Sequence, residues 1–333
     1  MRAFGPGRVN LIGEHTDYNG GLALPFATDR GVTVEASPRP DGRIVARALD
    51  LGEDDDFVAA EPPPARGWRA FVRGMVAELG VRDGFTLEIS GDIPRGAGLS
   101  SSAALEVALG LALAGEPPDR VTLAKLCSRV ENSWVGAQTG LLDQLASLCS
   151  TLGHALRIDF ATLGLGPVAL HLDGARLAVV DSGAAHDLSG SEGYNERRAE
   201  CGEAARRLGL EFVAQATEAQ AASLPAPLDR RVRHVIEEDE RVEATIAALA
   251  AGDAAEVGRR LDASHASLRD LYEASVPEVE AAVDRLKSAG ALGARMIGGG
   301  FGGSVLGLFG DRTELPGDAV ELAPGQPARL LQG

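Results

Sequence analysis

Lysine is almost missing from this 333-residue chain: of its 32 basic residues only Lys125 and Lys287 are lysines. That scarcity bears on phosphate chemistry, because a P-loop needs a lysine after its last glycine. Cysteine is scarce too. Cys127, Cys149 and Cys201 show no metal-ligand spacing and suit a reducing cytoplasm. Positive charge is outweighed by 48 acidic residues, and the net charge of −16 argues against nucleic acid or an anionic membrane as partner. No apolar run approaches membrane-spanning length, and the N-terminus lacks a signal-peptide core. What remains, at 45% hydrophobic and 24% charged, is an ordinary soluble protein long enough for two lobes. It is expected to be a cytoplasmic monomer.

What the chain does have is a dense small-residue loop, Ile93-Pro-Arg-Gly-Ala-Gly-Leu-Ser-Ser-Ser-Ala-Ala-Leu105. Gly96 and Gly98 let backbone pass close to a ligand, and Leu105, Ala108, Leu109 and Ala112 follow at helical spacing. A serine before such a run reads as a helix N-cap, and one would suffice for an ordinary capped turn. Three in a row, Ser100, Ser101 and Ser102, favour a phosphate cradle, since first-turn N–H groups and the helix dipole attract anions. Leu99 follows Gly98, so it is not a P-loop. A dinucleotide fingerprint is matched formally at Gly298, Gly300 and Gly303, but the apolar run Ser304–Phe309 behind it reads as a strand rather than the required helix.

Taken in order, Val9, Leu11 and Ile12 read as the start of a strand, followed by Glu14, His15 and Asp17 on a glycine-rich turn. With Arg8 nearby, these groups are either a solvated loop or a set of donors and acceptors for sugar hydroxyls. Val32–Ala36 and Arg43–Ala48 around Pro38-Arg-Pro-Asp-Gly42 predict a hairpin. Glu53–Asp56 with the prolines behind it reads as an acidic surface loop. Trp68, Phe71, Val72, Met75, Val76 and Leu79 form one helical stripe, and Phe85–Ser90 a strand. Thr122 is expected to cap a helix buried through Leu123, Leu126, Val130 and Trp134, with Glu131 beside that face. Asp143, after Gly140, falls in the first turn of a further helix, where an acidic residue is commonly only a helix-starter. His154–Asp159 and Arg176–Asp181 read as strands, then a polar loop from Ser182 to Gly193, a helix from Tyr194 to Leu208, and helices to Ala289. Gly293–Ile297 and Ser304–Phe309 flank the glycine-rich turn as two last strands.

Gly7-Arg-Val-Asn-Leu-Ile-Gly-Glu-His-Thr-Asp-Tyr-Asn-Gly-Gly21 resembles the sugar signature of galactokinases. Pro94–Leu105 resembles the phosphate loop of the wider GHMP kinase superfamily, and Gly298–Ser304 its third motif. Gly140–Gln144 and Tyr194–Cys201 are similar to further galactokinase segments, so the resemblance covers nearly the whole chain. It implies an α+β, two-lobed GHMP kinase fold: an S5-like N-terminal lobe over 1–175 and a ferredoxin-like C-terminal lobe over 176–333, with the site between. It implies transfer of the ATP γ-phosphoryl group to the C1 hydroxyl of galactose, with Mg²⁺. Arg8 and Asp143 correspond to the catalytic pair, and Glu14, His15, Asp17, Gly140 and Tyr194 to sugar-binding positions. Ser102 and Glu131 correspond to Mg²⁺ ligands, and Gly96, Gly98, Leu99, Ser100, Ser101 and Ser102 to the phosphate-binding loop. Against that pattern the chain begins a few residues before the first motif, and Gly193 stands as an extra residue before Tyr194.

The implied chemistry suits these residues. Phosphoryl transfer needs positioning and charge neutralisation more than covalent catalysis, and Mg²⁺ takes hard oxygens such as a hydroxyl and a carboxylate. Asp143 would act as base or as an orienting group. Two other readings stand beside this one: a kinase for another sugar, such as N-acetylgalactosamine or arabinose, and an inactive sugar-sensing protein. The second would be marked by a damaged phosphate loop or a lost base, whereas Ser102-Ala103-Ala104 and Asp143 are intact.

Overall fold

The computed structural model describes residues 1–94, 96–114, 118–137, 139–184 and 192–332. Arg95 of the small-residue loop and residues 185–191 of the polar loop therefore lie outside the described residues. The first half runs β1 (Arg2–Asn10), β2 (Leu22–Ala23), β3 (Pro25–Arg39), β4 (Arg43–Ala48), β5 (Glu53–Val58), α1 (Trp68–Glu78), β6 (Gly84–Gly91), α2 (Ser101–Leu113), α3 (Arg120–Val130), α4 (Leu142–Cys149), β7 (His154–Asp159) and β8 (Gly164–Ala169). The second half runs β9 (Ala175–Asp181), α5 (Glu192–Leu208), α6 (Glu218–Ala222), α7 (Leu228–Ala250), α8 (Ala254–Asp270), α9 (Pro277–Ser288), β10 (Ala291–Met296), β11 (Ser304–Gly310), β12 (Val320–Leu322) and β13 (Arg329–Leu331).

The large sheet has the order β13-β1-β3-β6-β4-β5. The expected hairpin between β3 and β4 does not form. β6 inserts between them, antiparallel to β3 through Val34–Ile89 and parallel to β4 through Ala46–Leu87. The turn residues there permit a hairpin, but the crossover through α1 returns the chain as β6 between the two strands, where its Leu87 and Ile89 are buried. The acidic segment after β4 is strand β5 at the sheet edge rather than a loop. Its Asp55 is buried and takes Arg73 of α1 in two hydrogen bonds of 2.6 and 2.9 Å. Charged residues on an edge strand also discourage pairing with other chains.

Helix α2 is apolar on every side and is buried from Ala103 to Leu113, between the sheet and α1, α3 and α4. Such a helix is a core element, open to a site only at its N-terminal end. Asp119, not Thr122, caps α3: its carboxylate accepts the Val121 and Thr122 N–H groups and the Thr122 hydroxyl. Thr122 stands three residues too late, where its N–H needs a partner itself. A single π-turn, Glu131–Val135, continues α3 and places Glu131 inward.

The second lobe packs α5–α9 on the antiparallel sheet β10-β11-β9-β12. A third apolar cluster spans both halves, joining Val9, Leu11 and Phe26 to Val179, Leu261 and Leu306. The last strand, β13, returns to the large sheet beside β1. Among the described residues no helix is long and apolar enough to cross a membrane.

Candidate active site

β1 extends over Arg2–Asn10 and ends where the sequence suggested a strand would begin. Leu11 and Ile12 are core residues just beyond it. The chain then turns sharply, with Gly13 (φ 101°) and His15 (φ 61°) in left-handed conformation. A non-glycine residue in that region is costly unless its surroundings hold it there. Here the Asn19 side-chain amide donates to the His15 carbonyl at 2.6 Å, and the Thr16 hydroxyl lies 2.9 and 2.8 Å from the Gly13 and Leu22 carbonyls. The turn thereby carries Glu14, His15 and Asp17 into one small cavity of about 80 Å³, which Arg8, Gly140, Asp143 and Tyr194 also line.

Within it, Glu14 is committed to the protein. Oε1 accepts the Gly298 N–H at 2.8 Å and lies 3.1 Å from Arg295 Nη2, while Oε2 takes the Asn10 amide. Burial pushes its pKa up, against the opposing pull of Arg295 and the Gly298 N–H. His15 is neutral, its pKa lowered to about 3, chiefly by burial. Its Nε2 has no partner among the described residues. Burial, opposed by the Tyr18 N–H and reinforced by Asp143, raises Asp17 to about 6. Gly140 lets the Asp17 carboxylate lie against its backbone, since a Cβ there would sit 1.8 Å from Asp17 Oδ2 and displace it. The extra Gly193 fits against Phe301, where a Cβ would meet the ring at 2.5 Å, and Tyr194 is buried with its ring 5.5 Å from that of His15.

The phosphate-type loop is pinned from two sides. Arg8 donates its N–H to the Leu99 carbonyl at 3.0 Å and Nη1 to the Gly98 carbonyl at 2.8 Å. The Ser304 hydroxyl, at the start of β11, donates to the Gly96 carbonyl at 2.8 Å. Gly96 (φ 76°) and Gly98 (φ 66°) are left-handed, and a Cβ on Gly98 would meet Ser304 Oγ at 2.9 Å. The Leu99 side chain enters the apolar cluster between the halves. Ser100 occupies the cap position of α2 with φ 55°, but its hydroxyl does not cap the helix. It donates to Asp143 Oδ2 at 2.5 Å. Ser101 and Ser102 open the helix and line, with Gly96 and Gly98, a second cleft of about 530 Å³.

Asp143 sits in the first turn of α4 and is gripped bidentately by Arg8, Nε to Oδ1 at 2.6 Å and Nη2 to Oδ2 at 2.7 Å. Such a fork fixes both side chains in one plane. Glu131 Oε2 accepts the Thr139 hydroxyl at 2.5 Å and the Gln144 amide at 3.0 Å, and the Ser102 hydroxyl also hydrogen-bonds this carboxylate. Burial, only partly offset by those neutral donors, raises its pKa. Gln144 also donates to Glu106 at 3.1 Å, a wholly buried carboxyl pushed well up by burial and by Glu131. Arg8, Asp143, Glu131 and Thr139 line both the small cavity and the cleft. The two spaces therefore meet at the Arg8–Asp143 pair.

Every site residue expected from the sequence lines one of these two spaces, and Arg8, Glu131 and Asp143 line both. The sequence reading missed Asn10, Glu106, Thr139, Gln144, Arg295 and Ser304. Glu106 carried a usable signal, being the one charge inside an otherwise apolar helix, and Gln144 stands next to Asp143. Arg295 had none, since its partner Glu14 is hundreds of residues away, and Ser304 closes the third motif but its hold on Gly96 depends on the fold.

Residues 1–38 match the galactokinase galactose-binding signature, residues 68–151 the GHMP kinases N terminal domain, and residues 245–322 the GHMP kinases C terminal family. The chain is 41% identical to a galactokinase of Thermotoga neapolitana over 92% of its own length and 88% of that protein. It is 42% identical to the galactokinase of Streptomyces coelicolor, covering 90% and 82%. The crystal structure of Lactococcus lactis galactokinase complexed with galactose superposes with a TM-score of 0.91 at 31% identity, covering 99% of this chain and 95% of that one. A mevalonate kinase, at 20% identity and a TM-score of 0.68, shares the fold. With a sugar signature on the turn after β1, a phosphate-type loop before α2 and a buried Arg–carboxylate pair where their two spaces meet, the chain belongs to the galactokinase family of the GHMP kinases.

Proposed function

We infer that this protein transfers the γ-phosphoryl group of ATP to the C1 hydroxyl of galactose, giving galactose 1-phosphate and ADP. The observation that carries this reading is the Arg8–Asp143 fork at the junction of a small polar cavity and a larger glycine- and serine-lined cleft. The sugar takes the cavity, through Asp17, His15, Tyr194 and the Gly140 backbone. The nucleotide takes the cleft, its phosphates against the loop amides and the α2 N-terminus. Asp143 accepts the C1 hydroxyl proton as the new C1–O–P bond forms and the bond to the ADP oxygen breaks. Arg8 and the Ser100 hydroxyl hold that carboxylate in place, and Arg8 adds positive charge beside the transferred group.

Ser102 and Glu131 fit Mg²⁺. Glu131 is a buried carboxylate compensated by neutral donors alone among the described hydrogen bonds, and a divalent cation would supply the missing charge. When bound, the ion neutralises the nucleotide phosphates. We propose 1–175 and 176–333 as the two lobes and a cytoplasmic monomer as the working form.

The test is a sugar panel in a coupled ADP-release assay. Galactose should be the preferred substrate and glucose, its C4 epimer, far poorer, because a site built to hydrogen-bond one hydroxyl is left unpaired by its epimer. Equal use of glucose, or preference for N-acetylgalactosamine or arabinose, would overturn the assignment.

A further inference from the structure

His15 Nδ1 lies 2.7 Å from the Tyr18 hydroxyl, and that hydroxyl lies 2.8 Å from the hydroxyl of Tyr272. Tyr272 is fully buried at the end of α8, and its oxygen lies 3.2 Å from Cys201 Sγ. Its ring packs against those of both His15 and His234, with centroids 4.5 Å apart in each case. Each phenol has one proton, so the direction of the chain follows from which groups can only donate. The Asn19 side chain, whose amide already donates to the His15 carbonyl, also hydrogen-bonds Tyr272. With that N–H supplied to its oxygen, Tyr272 has its own proton left for Tyr18 or for Cys201. A thiol sulfur is a weak acceptor, so the proton goes to Tyr18. Tyr18 then has its proton left for His15, and a neutral imidazole nitrogen is the best acceptor in the chain. Nδ1 accepts, and Nε2 must carry the hydrogen. His15 lines the cavity, and its Nε2 is buried and unpartnered among the described residues.

We propose that Tyr18 and Tyr272, one from each half of the molecule, act as positioning residues that lock His15 as its Nε2–H tautomer, making it an obligate donor to one hydroxyl oxygen of the sugar. This rests on the sugar occupying the small cavity. The consequence is specific: at that hydroxyl the site reads the oxygen's lone pair and not its hydrogen. It also ties sugar recognition to the docking of the two halves, since the tautomer is set by a residue 254 positions from Tyr18.

Long-range ¹H–¹⁵N correlation on uniformly labelled protein tests the tautomer directly, with His15 signals identified by their loss in His15→Gln. Nδ1 should be pyridine-like and Nε2 pyrrole-like; the reverse pattern overturns the proposal. Tyr272→Phe should mix the tautomers and raise the galactose KM in proportion to the lost Nε2–H fraction, roughly twofold for equal populations, with kcat and the ATP KM nearly unchanged. Unaltered imidazole signals and KM in a folded variant would overturn it. Calorimetric binding of deoxy- and fluoro-galactoses to wild-type protein needs no variant. At one ring position the deoxy sugar should bind roughly tenfold more weakly while its fluoro counterpart, a weak acceptor that cannot donate, recovers part of that loss. Fluoro losses equal to deoxy losses at every position refute the donor. If galactose is not bound at all, the sugar reading fails, while the imidazole spectrum still decides the tautomer.

Discussion

At the residue scale, the central question is how Asp17 and Asp143, two of the four carboxylates lining the cavity, divide their work. Asp143 is held by Arg8 and Ser100, whereas Asp17 is half-buried, has its pKa raised to about 6 by desolvation and abuts the Gly140 backbone. Only Asp143 has both a fixed orientation and access to the cleft. Asp143→Asn should fold normally and lose roughly 10²–10⁴ in kcat, the usual size of a general-base contribution. Turnover within a few-fold of wild type would remove it from the mechanism. Glu131→Ala deletes one of the two protein ligands expected for Mg²⁺ and should raise the Mg²⁺ concentration for half-maximal rate. An unchanged Mg²⁺ dependence with a lowered Tm would make Glu131 a purely structural group beside Gln144.

At the element scale, the phosphate-type loop is not self-supporting. It hangs between β1, through Arg8, and β11, through Ser304, whose hydroxyl holds the Gly96 carbonyl. This explains why the third glycine-rich turn belongs to the site: its strand delivers an anchor to the loop. Ser304→Ala removes one buried hydrogen bond, a loss of about 1 kcal/mol. The loosened loop should show in a higher ATP KM with the galactose KM nearly constant. Steady-state kinetics on both substrates separate the two, and a defect confined to the sugar would contradict the assignment of the cleft. The helices of this architecture were legible because a 3.6-residue period is a local signal, as in the α1 stripe from Trp68 to Met75. The strand order was not. Val32–Ala36 and Arg43–Ala48 carry a hairpin signature, yet β6, forty residues later, outcompetes it for the central position.

At the scale of the whole molecule, the two halves are joined by a common apolar cluster and by buried charge. Arg295 on β10, with no exposed surface, pairs with Glu14 and donates to the Asn10 and Leu11 carbonyls at 3.1 and 2.9 Å. Arg295→Met should destabilise by about 3–5 kcal/mol, because Glu14 is left buried without its counter-charge. Chemical denaturation measures this, and a loss below about 1 kcal/mol would mean that solvent reaches the pair. A second contact between the halves responds to pH. Asp239 on α7 accepts the Leu22 N–H at 2.6 Å, and burial together with Glu238 and Asp159 raises its pKa from 3.8 to about 7. The folded protein keeps this proton between those values while the unfolded chain releases it. The stability is therefore fully present below pH 3.8 and is lost as pH rises toward 7. Asp239→Asn retains the acceptor oxygen without the charge. It should stabilise the protein by about 1 kcal/mol at pH 8, discounted for partial exposure, and by nothing near pH 4. Tm measured at both pH values checks the sign, and destabilisation at pH 8 would refute it.

By itself the sequence determined the motifs whose chemistry is local. The glycines of the loop, the serines opening α2, the Glu-His-Thr-Asp turn and the acidic start of α4 are short-range features, because backbone freedom, helix-end dipoles and side-chain donor sets act within a few residues. The tertiary structure alone decided how those pieces act on one another. Ser100 turned from capping its helix to holding Asp143, and Glu14, at the cavity wall, is tied to Arg295 and Gly298. His15 was aligned through a tyrosine from the far end of the chain. Each outcome depends on burial, which raises the energy of any unpaired polar group and forces it to find a partner wherever the fold has brought one, however distant in sequence.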